Sequence, residues 1–151
     1  MRSFYLAIEL LKNLFREDIN VHTITHGLSS LMDIDKKNIF PLVHLRAVSS
    51  RIQGSYISIT FEIVVVDLRN ISKQSVKDKF LGNDNELDNL NTCLAILNRG
   101  IVKLQNLNND HNIELNGEPQ ANPIIGEFAN LLDGWGTELE LLIPNTEIKV
   151  C

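Results

Sequence analysis

The sequence predicts an α+β fold in which a long helix and an N-terminal helix pack on an antiparallel sheet. Three patterns support this class. Leucine and isoleucine recur every three or four residues between about 84 and 107, the period of an amphipathic helix. Apolar and polar residues alternate from Ile57 to Val65 and again from Leu139 to Ile143, as they do in strands with one buried face. Helix and strands together predict a two-layer domain.

The length of 151 residues predicts a single domain over 1–151. A chain of this size can bury roughly two thirds of its unfolded surface, so it needs no disulfide or metal for stability. No apolar run approaches the ~20 residues of a membrane span, and no signal-peptide pattern follows Met1. The two cysteines, Cys93 and Cys151, lack the neighbours of a zinc site. We therefore expect a protein made and kept inside the cell, without membrane contact or cofactor.

The long helix is expected to begin near Asn83 and Glu86, because an Asn oxygen can cap an early N–H while Glu reaches back. Its apolar stripe should pack on the sheet together with Phe61, Ile63 and Val65 of the strand and with Trp135. The predicted stripe residues are Leu87, Leu90, Leu94, Leu97, Ile101 and Leu104.

The first third of the chain predicts a helix over Phe4–Phe15 and a short strand over Ile19–Ile24. A strand then begins at Pro41, and a polar bend over Ser49–Ser55 joins it to the alternating strand from Ile57. Two strands joined by a short link predict an antiparallel hairpin.

The last third predicts a short strand at Ile113 and Leu115 and an extended crossing over 118–126. A final strand is expected over 130–143. Two glycines flank Trp135 in this strand, which is typical of a bulge or bend where an indole packs down.

A long arm is predicted over about 67–82, because no period is visible there and loops of this length are usually functional or disordered. One interpretation is a solvated loop. The other is an arm that contacts a neighbouring subunit or ring. The candidate contact residues are Arg69, Lys73, Lys77, Lys79 and Phe80.

The charge distribution gives that arm a possible counterpart. The chain carries −5 overall, and residues 112–151 hold seven acidic residues against one lysine, which gives −6. Phosphate neutralisation supplies most non-specific affinity for nucleic acid, so an acidic chain is not expected to grip DNA. It could still line a path along which DNA slides.

The sequence contains no recognisable catalytic motif, so we expect no enzymatic activity. His22 and His26 lie on a predicted strand and turn rather than on one helix face, which argues against a metal site. His44 is expected on a solvated or interface position. Asp133 and Glu138 could act as paired carboxylates, although Glu138 also fits the solvent face of a strand.

In this order of elements, the chain resembles the phage tail-terminator, tail-completion and neck proteins of the head–tail junction, particularly those of phages that infect Bacteroidetes. The matching segments cover most of residues 40–151. They are FPLVH (40–44), ITFEIVVVD (59–67), GNDNE (82–86), LNT (90–92), LAILNR (94–99), LDGWGTELE (132–140) and IPN (143–145).

The resemblance implies a tail-terminator-like α+β subunit without catalytic residues, located in the virion and made in the host cytoplasm. It implies a homo-oligomeric ring of six or twelve subunits that meets portal or adaptor and tail proteins and lets DNA pass through its lumen. Two other classes remain open at this point: a small intracellular adaptor or binding domain, and an enzyme with an unrecognised site.

Overall fold

The computed structural model describes residues 3–27, 40–70, 77–107, 112–127 and 131–145. Within these ranges the chain forms two helices and a mixed six-stranded sheet, which confirms the predicted α+β class. The helices are α1 (Ser3–Arg16) and α2 (Glu86–Gln105). The strands are β1 (Thr23–His26), β2 (Leu42–Gln53), β3 (Tyr56–Leu68), β4 (Glu114–Asn116), β5 (Ala121–Glu127) and β6 (Leu132–Pro144).

The strand order is β1-β2-β3-β6-β4, and β5 also pairs with β6. Because β3 pairs with β6 over its whole length, β4 and β5 share the opposite edge of β6. The prediction of a purely antiparallel sheet is wrong, since β1 runs parallel to β2. A parallel neighbour needs a long crossover connection rather than a tight hairpin, so β1 and β2 cannot be joined as a hairpin.

The predicted β2–β3 hairpin is confirmed, but its strands are longer than expected. Most of the predicted polar bend belongs to β2, and the turn contains only Gly54 and Ser55. Gly54 has φ +68°, which glycine adopts without strain. A bulge lies between Ala47 and Ser49. The second half of β2 is exposed on both faces. Its sequence therefore lacks the alternation of apolar and polar residues that would predict a strand.

The sheet has an apolar core on each face. The predicted core residues Phe61, Ile63 and Val65 are buried beneath the helices, which is confirmed. Val64 and Val66, the intervening residues of β3, lie in a second buried cluster on the other face, with Phe40, Leu42 and Leu132. This second cluster explains why β3 ends in a continuous apolar run.

Helix α2 is rotated relative to the predicted stripe. Leu97 and Leu104 are buried as predicted, and Leu90 and Ile101 are partly buried. Leu87 and Leu94 are 50% and 40% exposed, so their assignment to the core is wrong. At ~3.6 residues per turn, the centre of the buried face lies roughly 80° from the centre of the leucine stripe. The buried positions are Glu86, Asn89, Cys93, Ile96, Leu97, Gly100 and Leu104.

Helix α1 packs on the buried face of α2 at Gly100. A Cβ atom placed on Gly100 would lie 2.6 Å from the ring of Phe15, so the missing side chain lets α1 approach. Phe15 is itself buried, and α1 confirms the predicted N-terminal helix. Neither of the helices in the described ranges is both long and apolar enough to cross a bilayer.

The C-terminal third differs in two ways from its prediction. The predicted crossing forms a strand, β5, which pairs with β6 despite Pro123. The predicted bulge at Trp135 is wrong, because the β3–β6 register is continuous there. Gly134 instead lets β6 lie close to β3, because a Cβ atom at Gly134 would lie 1.8 Å from the Val65 carbonyl oxygen. Trp135 is only partly buried, and its Nε1 donates to the Leu90 carbonyl at 2.8 Å.

Candidate interaction surface

A polar network joins three elements at the N-terminal end of α2. Arg69, directly after β3, donates through Nε to Asp133 Oδ2 at 3.0 Å and through Nη2 to Asp133 Oδ1 at 2.6 Å. Its Nη2 also donates to Glu86 Oε2 at 3.0 Å. The Asp133 side chain is fully buried and that of Arg69 is mostly buried. The bidentate geometry fixes the end of β3 to β6 and to α2.

Asp133 accepts from two further donors, the Gly126 backbone N–H at 2.8 Å and Asn89 Nδ2 at 3.4 Å. Burial alone would raise the pKa of this carboxyl group. The hydrogen bonds and positive charge of Arg69, with those two donors, outweigh burial and hold the pKa of Asp133 below its usual range. The carboxylate is therefore charged and its charge is compensated inside the protein.

Asp67 lies directly opposite Asp133 in the β3–β6 pair but has a different environment. Its carboxylate accepts from the Leu68 N–H at 2.7 Å. Burial raises the pKa of Asp67, and the nearby charge of Asp133 adds to that effect. Arg69 therefore determines which of the two neighbouring carboxylates is held firmly in its charged form.

Asparagine side chains complete the connection between α2 and β3. Asn85 accepts from the Asn70 N–H at 2.7 Å, and Asn89 donates to the Leu68 carbonyl at 3.1 Å. The side-chain amide of Asn83 donates to Glu86, so Asn83 does not cap the helix as predicted. Asn83 and Asp84 instead have positive φ angles, 53° and 58°, which turn the chain into α2.

These contacts give Arg69 partners within its own chain, where the prediction gave it a partner in a neighbouring subunit. Its guanidinium group is held by Asp133 and Glu86 of the same chain. Arg69 is an anchor for the base of the predicted arm. No local pattern indicates this contact, because Asp133 follows 64 positions later.

The remaining candidates of the predicted arm lie on the surface or outside the described ranges. Lys77, Lys79 and Phe80 are exposed, and Lys73 lies outside the described residues. Phe80 and the next residue, Leu81, are 63% and 68% exposed. Exposure is what an interface requires, but it does not by itself test the prediction.

The exposed leucines of α2 extend this region. A Cβ atom on Gly82 would lie 3.4 Å from the ring of Phe80 and 3.5 Å from Leu87, so both side chains flank Gly82. Leu94 follows Leu87 by seven residues, which places the two on one side of the helix. We refer to Lys77, Lys79, Phe80, Leu81, Leu87 and Leu94 as the basic–apolar surface.

A groove lies on the opposite face of the sheet, with a cavity of about 510 Å³. One wall carries Glu62 and Glu138, which face each other across the β3–β6 pair. Ile124 of β5 and Val64 of β3 supply the apolar part of the lining, and Pro123 also borders the groove. We refer to this cavity as the acidic groove.

The acidic groove is flanked by further charges. Glu62 forms an ion pair with Arg46 of β2, which compensates one of the two carboxylates. Glu138 is exposed, and it also lines an adjoining hollow of about 300 Å³ with Glu118 and Glu140. The groove therefore combines the exposed carboxylate of Glu138 with an apolar lining.

The sheet separates Asp133 from Glu138, the two carboxylates considered for acid–base chemistry. Glu138 is exposed on the groove face, whereas Asp133 is buried on the helix face. The interpretation of Asp133 and Glu138 as a pair is therefore wrong. The spacing of five residues places them on opposite faces of one strand.

His44 is buried, which corrects its predicted solvated position. Its Nε2 is 2.8 Å from the Gly27 carbonyl and therefore donates, so Nδ1 accepts from the Thr25 hydroxyl at 2.7 Å. Burial lowers the pKa of His44, although the Gly27 hydrogen bond opposes this. The neutral imidazole links β1 to β2.

The other candidate groups do not assemble into a metal site in the described part of the chain. His22 and His26 are exposed, and no three His, Cys, Asp or Glu side chains converge there as ligands would. Cys93 is buried on α2, and burial raises the pKa of its thiol to about 12. It is therefore a packing residue rather than a reactive thiol.

Comparison with known proteins assigns no family. No protein-family model matches the chain, and no curated protein matches it in sequence.

Proposed function

We propose that this chain is a structural virion protein that forms a ring at the phage head–tail junction. In this role it is a terminator, neck or collar ring that joins portal or adaptor proteins to the tail. The observation that carries the proposal is the basic–apolar surface, which presents four exposed large hydrophobic side chains beside two lysines.

Exposed apolar side chains that lie side by side on a folded protein mark an interaction site, and Phe80 and Leu87 lie in this way on either side of Gly82. Here they lie next to the Arg69 network, which fixes the start of α2 to the ends of β3 and β6. A rigid base reduces the ordering cost of binding, because fewer groups have to be immobilised on assembly. The surface is thus suited to binding a partner without reordering of its base.

A ring at the junction must let DNA pass without holding it. The net charge of −5 suits this role, since 19 acidic residues outnumber 14 lysines and arginines and the chain as a whole does not attract phosphates. The role needs no catalytic group or cofactor in the chain. DNA would accordingly pass through the lumen of the ring without sequence-specific contact.

The proposal is tested by the assembly state of the purified chain. Native mass spectrometry and negative-stain microscopy should show closed rings of six or twelve subunits. The variant Phe80→Ser/Leu87→Ser should assemble less well and stay folded, because both side chains are exposed. The matched control is Val102→Ser, an exposed apolar residue near the other end of α2. A wild-type chain that stays monomeric at high concentration contradicts the ring and favours the adaptor class.

A further inference from the structure

We propose that the acidic groove of one copy receives the Lys77–Leu81 segment of the next copy. This inference rests on the proposed ring and names the surface that the basic–apolar surface contacts. The occupant is thus a second copy of this chain, bound through lysine–carboxylate pairs and an apolar contact.

Charge is the first argument. The segment presents Lys77 and Lys79 to solvent, with Asp78 between them. The groove and its adjoining hollow present Glu138, Glu140 and Glu118, while Glu62 already has Arg46 as its partner. Opposite charges at two separate places on one chain favour contact between copies and set its register.

The order of residues is the second argument. In the segment, two lysines precede the exposed apolar pair Phe80 and Leu81. In the groove, the carboxylates lie beside an apolar part formed by Val64 and Ile124. The carboxylates would take the two lysines of the segment, and Ile124 would contact its aromatic ring. The cavity of about 510 Å³ is in the range of sites that hold several side-chain groups.

The position of the two surfaces is the third argument. The basic–apolar surface lies at the helix layer, and the acidic groove lies on the opposite face of the sheet. A contact between unlike surfaces of identical chains is heterologous, and it closes into a ring when the rotation permits. A twofold dimer would instead join like surfaces.

Charge reversal in both surfaces provides the test. Lys77→Glu/Lys79→Glu and Glu138→Lys/Glu140→Lys should each weaken assembly about tenfold or more in sedimentation velocity, since like charges then meet. The chain with all four substitutions should recover assembly, because the charges are again opposite. Lys103→Glu and Glu9→Lys are the controls, exposed charge reversals away from both surfaces. Reversal variants that assemble like the wild type overturn the proposal.

A second measurement does not depend on rings. The Lys77→Glu/Lys79→Glu chain keeps its groove but has lost its own cationic segment, so it serves as the receptor for a synthetic 77–82 peptide. Amide shifts at Asn122, Ile124 and Glu138 in NMR spectra support the inference, and the Glu138→Lys/Glu140→Lys chain should show none. No shifts at millimolar peptide, or shifts elsewhere, overturn it. Rings without groove shifts refute only this contact, and groove shifts in a monomeric chain refute only the ring.

Discussion

The two halves of α2 are held to the sheet by different forces. The C-terminal half buries Ile96, Leu97 and Leu104, and Gly100 fits against Phe15 of α1. The N-terminal half buries polar groups instead, among them Glu86 and Asn89, which contact the Arg69–Asp133 pair.

The two kinds of contact have different effects: apolar burial adds to the free energy of unfolding, and the polar contacts set where the helix lies. Apolar burial is nondirectional and contributes roughly 25 cal/mol per Å² of surface removed from water. Buried charged groups contribute less net free energy, because desolvation offsets their attraction, but they accept only one geometry. The apolar half therefore stabilises the helix, and the polar half fixes where the basic–apolar surface begins.

The largest expected effect is at the apolar half. Phe15→Ala should lower the free energy of unfolding by about 4 kcal/mol, because a buried ring is lost and a cavity is left against Gly100. Urea denaturation measures the loss. Tyr5→Ala is the control on the same helix, and because Tyr5 is 70% exposed it should change stability by no more than about 0.5 kcal/mol.

The rotation of α2 is tested by two leucines three residues apart. Leu97→Ala should cost about 3 kcal/mol, since Leu97 is buried in the core. Leu94→Ala should cost less than about 1 kcal/mol, because Leu94 is 40% exposed. Equal losses in urea denaturation would mean that the leucine stripe, and not the observed face, packs on the sheet.

At the polar half a smaller loss is expected. Asp133→Asn should lower the free energy of unfolding by about 2 kcal/mol, because the charge-assisted bonds from Arg69 are weakened in a buried site. Glu138→Gln, the same change on the exposed face of β6, is the control. A loss as large as that of Phe15→Ala would remove the distinction between the two halves.

The polar half of α2 should also differ from the apolar half in how its contribution to stability depends on pH. The pKa of Asp133 is lower in the fold than in the unfolded chain, so its stabilisation is present above about pH 4 and is lost as pH falls toward the folded value. Asp18 behaves in the same way: burial opposes its ionisation, but Arg99 outweighs burial and keeps its pKa low.

The difference in stability between the wild type and Asp133→Asn should therefore shrink as pH is lowered from 5 to 3. Chemical denaturation at each pH measures it. The Phe15→Ala difference should change little over the same range, because no titrating group is removed. A constant Asp133→Asn difference would show that its charged state contributes nothing.

The candidate surface was only partly predictable. The sequence predicts contacts at Lys77, Lys79 and Phe80, because a segment without helix or strand periodicity between two elements is often a contact region. All three residues are exposed. Arg69 belongs to the same predicted arm, but its side chain donates a hydrogen bond to Asp133 of its own chain. The acidic groove had no local signal, because its walls come from β3, β5 and β6.

Elements with a local pattern could be predicted from the amino-acid sequence. The alternation in β3 and β6 and the three-to-four spacing in α1 and α2 follow from backbone geometry, so they predict the α+β class. Three features became visible only in the folded protein: the side of α2 that is buried, the parallel direction of β1 and β2, and the pairing of the charges. These features depend on groups far apart in the chain, whose contacts form only when the sheet and helices pack together.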